Sequence, residues 1–386
     1  MIAAARVAAA IEILDTILSG APAEKSLTTW GRTHRFAGSG DRLVIRDLVY
    51  DALRCRRSLA ALGGGETGRG LMIGLVRRAG QDPAELFTGL GHAPAILGPH
   101  DAEFANPSGP VRFDMPDWLY PMFAGDLGAD AEPVMLALQI RAPVTLRVNL
   151  RRADLPTAVT RLEQDGITAA PYPNIKTALQ VTGNARKIQH SKAYLDGTVE
   201  LQDASSQAAV LRLPLRPGGR VLDYCAGGGG KSLAMAAVAD VSIVAHDADP
   251  RRMADLGPRA ARAGARIQTA DTAALPQLPP FDLVLVDAPC SGSGTWRRTP
   301  DAKWRLTPDG LAGLCALQAG ILTQAEAFVA PGGTLAYATC SVLQAENQTQ
   351  ARGFVAATPG WSIYEEMQLL PSPLGDGFYL ALLRRG

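Results

Sequence analysis

Between Met1 and about Gly91 the apolar positions recur at helical spacing. Val7, Ile11, Leu14 and Leu18 share one face, and Leu43, Ile45, Val49, Leu53 and Leu59 repeat the habit. Few strand patterns interrupt them, so residues 1–100 are expected to form an all-helical domain, punctuated by glycines around Gly38 and Gly63. Proline, glycine and histidine accumulate from Gly91 to Pro116, which makes 101–140 a linker and helical connector. The run from Val144 to Asn149 alternates like a strand, a helix is expected over Leu155 to Gln164, and Gly166-Ile167 opens a second strand. Residues 141–205 therefore predict a small α+β subdomain.

From Leu215 onward strand and helix patterns alternate. A strand runs to Asp223, a helix to Ala239, a strand to Asp247, a helix to Ala263, and strands end at Asp271 and Asp287. A long helix from about Asp309, a strand ending at Cys340, another helix and two strand-like runs around Trp361 and Phe378 follow. Repeated β-α units imply an α/β domain over 206–386, with a parallel sheet covered by helices on both faces. Ligands of such sheets gather at the carboxyl ends of the strands, where Asp223, Asp247, Asp271, Asp287 and Cys340 fall.

One of those ends, Val221 to Ser232, reads V-L-D-Y-C-A-G-G-G-G-K-S: a strand, four consecutive glycines and the start of a helix. Glycines there permit positive φ and leave no Cβ in a ligand's path. A phosphate loop fits at Gly230, Lys231 and Ser232 but meets Cys225 where its first glycine belongs. A dinucleotide fingerprint fails too, since Gly227 and Gly229 put Ser232 at the third glycine. The third option is a methyltransferase loop that wraps S-adenosylmethionine, with Asp247 at the end of the next strand spaced for ribose hydroxyls.

Composition adds limits. With 386 residues and 47% hydrophobic residues the chain can fold as two or three ordinary domains. A formal net charge of +1 argues against a simple electrostatic coat for nucleic acid but allows local patches. Arg54, Arg56, Arg57, Arg77 and Arg78 form such a basic edge, either a solvated face or an RNA contact. The five cysteines are odd in number and lack C-x-x-C spacing, so no disulfide framework, zinc ribbon or other metal site is expected, and a reducing cytoplasm fits. The N-terminus is apolar but broken by Arg6, Glu12 and Asp15, which suits an amphipathic helix rather than a secretory signal. No run approaches the roughly 20 apolar residues of a membrane span. A monomer is the default expectation.

Two cysteines stand apart. Cys290 follows Asp287 in D-A-P-C-S-G, and Cys340 ends a strand in Y-A-T-C-S. Methylation at nitrogen or oxygen needs only orientation and a base. Carbon 5 of a pyrimidine becomes nucleophilic only after something adds at C6, and a thiolate is the natural reagent. Asp287 could stabilise the adduct at N3, and the second thiol could help expel the enzyme afterwards. Cys55, Cys225 and Cys315 read as small packing residues.

At these positions the chain resembles the Sun (RsmB-like) family of RNA cytosine-5 methyltransferases. Asp223-Tyr224-Cys225-Ala226 with Gly229-Gly230-Lys231 is similar to its cofactor loop, Asp287 to Gly292 with Pro300-Asp301 and Lys303-Trp304 to its D-A-P-C-S-G…P-D-x-K-W segment, and Tyr337 to Ser341 with Glu346-Asn347 to its Y-x-T-C-S…E-N segment. Pro116 to Leu119, Leu146 to Asn149 and Gln202 to Gln207 are weaker matches. The resemblance implies a Rossmann-like class I methyltransferase sheet. Cys340 would be the nucleophile and Cys290 the residue that promotes product release. Cys225, Ala226, Gly227, Gly228, Gly229, Gly230, Lys231, Asp247, Asp271 and Asp287 would hold S-adenosylmethionine. The implied partner is RNA, most readily 16S ribosomal RNA and alternatively transfer RNA or another RNA; Arg147, Arg297, Arg298, Lys303 and Arg305 are candidates for backbone contacts, the arginines equally readable as surface charges. Gly40 to Arg42, Ile45 to Tyr50 and Leu53-Arg54 resemble a NusB-type helical RNA-binding domain. The family loop usually reads C-A-A-P-G-G-K; Gly227 and Gly228 replace alanine and proline here, which predicts a more flexible loop. A degenerate phosphate-loop NTPase and a non-catalytic RNA-binding module are the competing readings.

Overall fold

The computed structural model describes residues 1–102 and 104–385. Two compact units result, Met1–Arg141 with Trp296–Leu306, and Ala142–Thr295 with Thr307–Gly386.

The first unit is helical: α1 (Ala3–Leu18), α2 (Ala23–Thr33), α3 (Ser39–Arg54), α4 (Arg56–Gly63), α5 (Gly68–Arg78), then the shorter α6 (Gly109–Arg112), α7 (Tyr120–Leu127) and α8 (Ala131–Leu138). The inward stripe of α1 is Val7, Ala10, Ile13, Leu14 and Ile17, while Ile11 and Leu18 are only partly buried. The face expected from the periodicity is therefore turned slightly from the one that packs. The stretch 101–140, expected as linker and connector, lies in this unit and buries Phe113, Met115, Leu119, Phe123, Val134 and Met135. So does the distant segment Trp296–Leu306: Trp296 is buried and stacks on Phe123 with centroids 5.8 Å apart, and Trp304 donates its indole N–H to Leu53 C=O at 2.7 Å.

In the second unit β1 (Val144–Val148), α9 (Leu155–Gln164), β2 (Thr168–Pro171), β3 (Ala178–Gly183), α10 (Lys192–Leu195) and β4 (Val199–Leu201) make a β-α-β-β-α-β subdomain. Its antiparallel sheet has the order β2-β3-β1-β4. Next come α11 (Ala204–Arg212), β5 (Arg220–Asp223), α12 (Gly230–Val238), β6 (Ser242–Ala245), α13 (Leu256–Ala263), β7 (Ile267–Thr269) and β8 (Phe281–Asp287). After α14 (Pro300–Arg305), which belongs to the first unit, the chain completes α15 (Pro308–Glu326), β9 (Val329–Thr339), α16 (Gln348–Ala357), β10 (Trp361–Leu369) and β11 (Phe378–Arg385).

The second sheet has the order β10-β11-β9-β8-β5-β6-β7. Five strands, β9 to β7 in that order, are parallel, as βα units require. The expectation of a parallel sheet is corrected at its edge, where β11 runs antiparallel to β9 and β10 antiparallel to β11. Apolar faces of the strands pack beneath helices on both sides, around Leu222, Val284, Val286, Leu335 and Tyr337 on one face and Val221, Leu283, Leu285 and Ala336 on the other. No helix among the described residues is long and apolar enough to cross a membrane.

Helices α4 and α5 meet backbone to backbone. A Cβ at Gly74 would lie 2.1 Å from Leu59 C=O, and one at Gly63 would lie 1.8 Å from Gly70 C=O. Gly74→Ala is expected to destabilise the protein by about 1–3 kcal/mol, the cost of overpacking, read as a lower midpoint in thermal unfolding.

Candidate active site

The glycine loop follows β5 and feeds α12. Gly227 and Gly229 adopt positive φ of 50° and 76°, and a Cβ on Gly229 would lie 2.1 Å from Leu256 Cδ1, so glycine is required there. Asp247, buried just beyond β6, accepts the Gly227 N–H at 2.9 Å and pairs with Arg252 at 3.1 Å. Arg259 donates to Gly228 C=O from the other side. Two guanidinium groups therefore brace the segment where the family's alanine and proline are missing. Asp271, just beyond the end of β7, is exposed and accepts Ala274 N–H of its own turn at 2.8 Å.

Asp223, which the strand-end pattern brought forward without a role, is fully buried. Its Oδ2 accepts Ser232 Oγ–H at 2.6 Å, while Oδ1 has no hydrogen-bond partner among the described residues. Burial is the main reason its carboxyl is pushed up to about 6. Lys231, at the first turn of α12, donates to Asp287 at 2.5 Å and lies 4.9 Å from the Phe378 ring centroid. Against the effect of burial, Asp287 raises its ammonium above the usual range.

Strands β8 and β9 are paired in parallel with Asp287 opposite Ala338, so their following loops leave the sheet side by side. That register brings Cys290 Sγ to 3.4 Å from Cys340 Sγ. The hydrogen bond from Cys290 lowers the Cys340 thiol below its ordinary value, against burial and Asp287, with Lys231 and the Thr295 hydroxyl assisting. The same bond and burial raise Cys290. The Cys225 thiol is pushed up by burial and then by Asp223, Asp287 and Asp247. Burial also raises Cys55, to about 11, and Cys315.

The set of expected RNA contacts needs correction. Arg147 is buried, donating to Gln202 Oε1 at 2.8 Å and Gly230 C=O at 3.0 Å, and burial pulls its guanidinium down to about 10. It ties the small sheet to the glycine loop instead of facing solvent. Arg297 is buried in the first unit with its carbonyl held by Arg54 Nε at 2.7 Å. Lys303 is buried against Trp304, donates to Arg54 C=O at 3.4 Å, and is pulled down to about 8 by burial. Arg298 and Arg305 are exposed. Of the basic edge on the helical unit, Arg54 is buried, Arg56 covers Trp304, Arg57 donates to Met115 C=O and Arg77 to Leu62 C=O. These arginines serve as internal ties. Glu346, noticed earlier only within a motif, sits buried beneath both cysteine loops.

A Rossmann-like sheet with an acid-buttressed glycine loop at its centre defines a methyltransferase domain. Residues 210–384 match the family described as 16S rRNA methyltransferase RsmB/F, and residues 115–187 match its ferredoxin-like domain, in keeping with the β-α-β-β-α-β order. The chain belongs to this RsmB/F family. It is 37% identical over 251 residues to ribosomal RNA small subunit methyltransferase B of Xanthomonas campestris pv. campestris, covering 63% of this chain and 57% of that protein. The same enzyme of Xylella fastidiosa strain Temecula1 is 36% identical over 286 residues (69% and 66%), and that of Salmonella paratyphi B 34% over 287 residues (71% and 67%). The chain thus spans less than two thirds of the length of the first two. Among solved structures, PH0851 superposes with a TM-score of 0.78 at 23% identity over 100% of this chain and 99% of that one. NSun6 from Pyrococcus horikoshii with SFG gives 0.63 at 17% over 70% and 98%, a likeness of fold.

Two outcomes test the electrostatics. A raised carboxyl holds its proton more tightly in the folded state, so Asp223 costs stability as pH rises from 3.8 through about 6. Asp223→Asn is expected to stabilise the protein at pH 7.5 by at most about 3 kcal/mol, with no gain below pH 4, measured by urea unfolding. Lys231→Met removes the cation that favours the Cys340 thiolate, so iodoacetamide labelling of Cys340 followed by mass spectrometry should require higher pH.

Proposed function

We propose that the protein is an S-adenosylmethionine-dependent RNA methyltransferase that forms 5-methylcytosine, with 16S ribosomal RNA as substrate, acting in the cytoplasm. The observation that carries this reading is the thiol pair itself, two strand-end sulfurs 3.4 Å apart, with Cys340 lowered and Cys290 raised. N- or O-methylation has no use for such a pair; carbon-5 methylation needs one thiolate to add and one proton-bearing group beside it.

The residues around the glycine loop fit the proposed cofactor. Asp223 Oδ1, a buried acceptor without a partner among the described residues, suits an ammonium group, and Asp247 would take up ribose hydroxyls in exchange for Arg252. S-adenosylmethionine, when bound, supplies the electrophilic methyl group. Cys340 adds through sulfur to C6 of a cytosine that has left its stack, and the displaced electron pair makes C5 nucleophilic. Asp287 would share a proton with N3 as that charge develops, and Lys231, bonded to Asp287, would hold it beside the thiolate. After methylation C5 still carries its hydrogen. Loss of that proton to a solvent base restores the C5–C6 double bond as the S–C6 bond breaks, and Cys340 leaves as a thiolate that the neighbouring Cys290 thiol stabilises by its hydrogen bond. Arg298 and Arg305 are the remaining exposed candidates for phosphate contact, and the helical unit is proposed as a NusB-like RNA-binding domain.

The phosphate-loop alternative is disfavoured by one contact. Its serine hydroxyl should face a metal ion, whereas Ser232 is buried and donates to Asp223.

Cys340→Ala is expected to abolish methyl transfer. Cys290→Ala should accumulate a covalent protein–RNA adduct, seen as a shifted band on a denaturing gel. Bisulfite sequencing of 16S RNA from cells with and without the protein should show the loss of a protected cytosine. Full activity in Cys340→Ala would rule the mechanism out.

A further inference from the structure

The ladder between β8 and β9 ends with the Ala288 N–H bonded to Ala338 C=O at 2.9 Å, and the two segments meet again where Gly294 N–H reaches Cys340 C=O at 2.9 Å. The cysteines lie in the region between these ties. What fills the space beneath them is a side chain from the turn Gln344–Glu346 that follows β9.

Glu346 is 0% exposed. Its Oε1 accepts the Ser291 N–H at 2.7 Å and Gln318 Nε2–H at 3.1 Å. Its Oε2 accepts Ser291 Oγ–H at 2.5 Å and Ser341 Oγ–H at 2.6 Å. Ser291 and Ser341 are the residues directly after the two cysteines, so one carboxylate grips both segments at equivalent points. Gln318 also donates to Pro289 C=O at 2.9 Å, which fixes the residue on the other side of Cys290. The carboxylate is anchored in turn: Tyr337 donates its hydroxyl to Glu346 C=O at 2.5 Å, and Asn347 accepts from Thr339 Oγ1 at 2.5 Å. Burying a carboxylate is costly unless charge-assisted hydrogen bonds replace its water, and these donors do so.

We propose that Glu346 is a positioning residue that holds the Cys290 and Cys340 segments at hydrogen-bond distance and keeps their shared proton on Cys290, so that Cys340 is the thiolate. This rests on the reading of Cys340 as nucleophile. Two of the groups facing the pair act in the same sense, Lys231 from α12 favouring the charge on Cys340 and Glu346 disfavouring it on Cys290, while Asp287 opposes the charge on Cys340. Asp287 from β8 and Tyr337 from β9 also face the pair, and Cys315 from α15 faces Glu346. A neutral side chain of the same shape at position 346 keeps the packing and loses the asymmetry.

The test is a brief iodoacetamide pulse on the full-length protein across neutral and mildly alkaline pH, with the label at each cysteine counted by mass spectrometry. No RNA or cofactor is present. The wild-type protein should label Cys340 in preference to Cys290, and E346Q should reduce that ratio by about tenfold, the equivalent of one pKa unit. E346D, which keeps the charge at shorter reach, should keep the ratio while kcat falls. If E346Q does not fold, Ser341→Ala frees one segment from the carboxylate and should lower kcat with the ratio intact. A wild-type ratio in E346Q overturns the proposal, as does a ratio that collapses equally in E346D, which assigns the effect to packing. Either result beside an inactive Cys340→Ala defeats the role of Glu346 alone. An active Cys340→Ala defeats the underlying reading instead.

Discussion

Everything at the site depends on the parallel pairing of β8 with β9. Parallel strands end on the same edge of a sheet, and their register sets Asp287 opposite Ala338. Chain segments far apart in sequence therefore leave the sheet together, and Cys290 arrives beside Cys340 without either needing a specialised loop of its own. The neighbouring pairing of β8 with β5 adds the glycine loop and, in the first turn of α12, the Lys231 ammonium that bonds to Asp287. A one-residue slip between β8 and β9 would turn the residues of the shifted strand to the opposite face and separate the thiols.

The electrostatic arrangement is graded. Four acids lie near the glycine loop and the thiol pair, and each has a different environment: Asp223 buried and half unpartnered, Asp247 paired with Arg252, Asp287 paired with Lys231, Glu346 saturated by neutral donors. Such separation lets chemically identical groups perform distinct tasks. The arginines on the loop matter in the same way. Where proline would stiffen the backbone covalently, Arg259 and Arg252 hold it through bonds to Gly228 C=O and Asp247.

Much of this could be read from the residues in order. Val221–Asp223 and Phe281–Asp287 are apolar runs ending in acids, and both became central strands with those acids at the ligand edge. The antiparallel edge formed by β10 and β11 could not be read, because alternation reveals a strand and not its partner. Charge misled for a related reason. Arg147, Arg297 and Lys303 look solvent-seeking in sequence, yet what closes over them comes from elsewhere in the chain: Gln202 and Gly230 for Arg147, Arg54 for the other two. Asp223 stood at a strand end in plain view, and only its burial showed an acceptor left open. Glu346 carried no signal beyond its place in the Glu346-Asn347 match, since its donors come from three separate elements.

The segment Trp296–Leu306 has a consequence for how the protein is made. It belongs to the helical unit, where Trp296 packs on Phe123 and Trp304 bonds to Leu53, yet it is encoded after β8. During synthesis the first 141 residues leave the ribosome with a gap in their core where this segment belongs, and they must wait through translation of the subdomain and half of the large sheet before it is filled. N-terminal units usually finish folding first; this one is completed only by a later part of the chain.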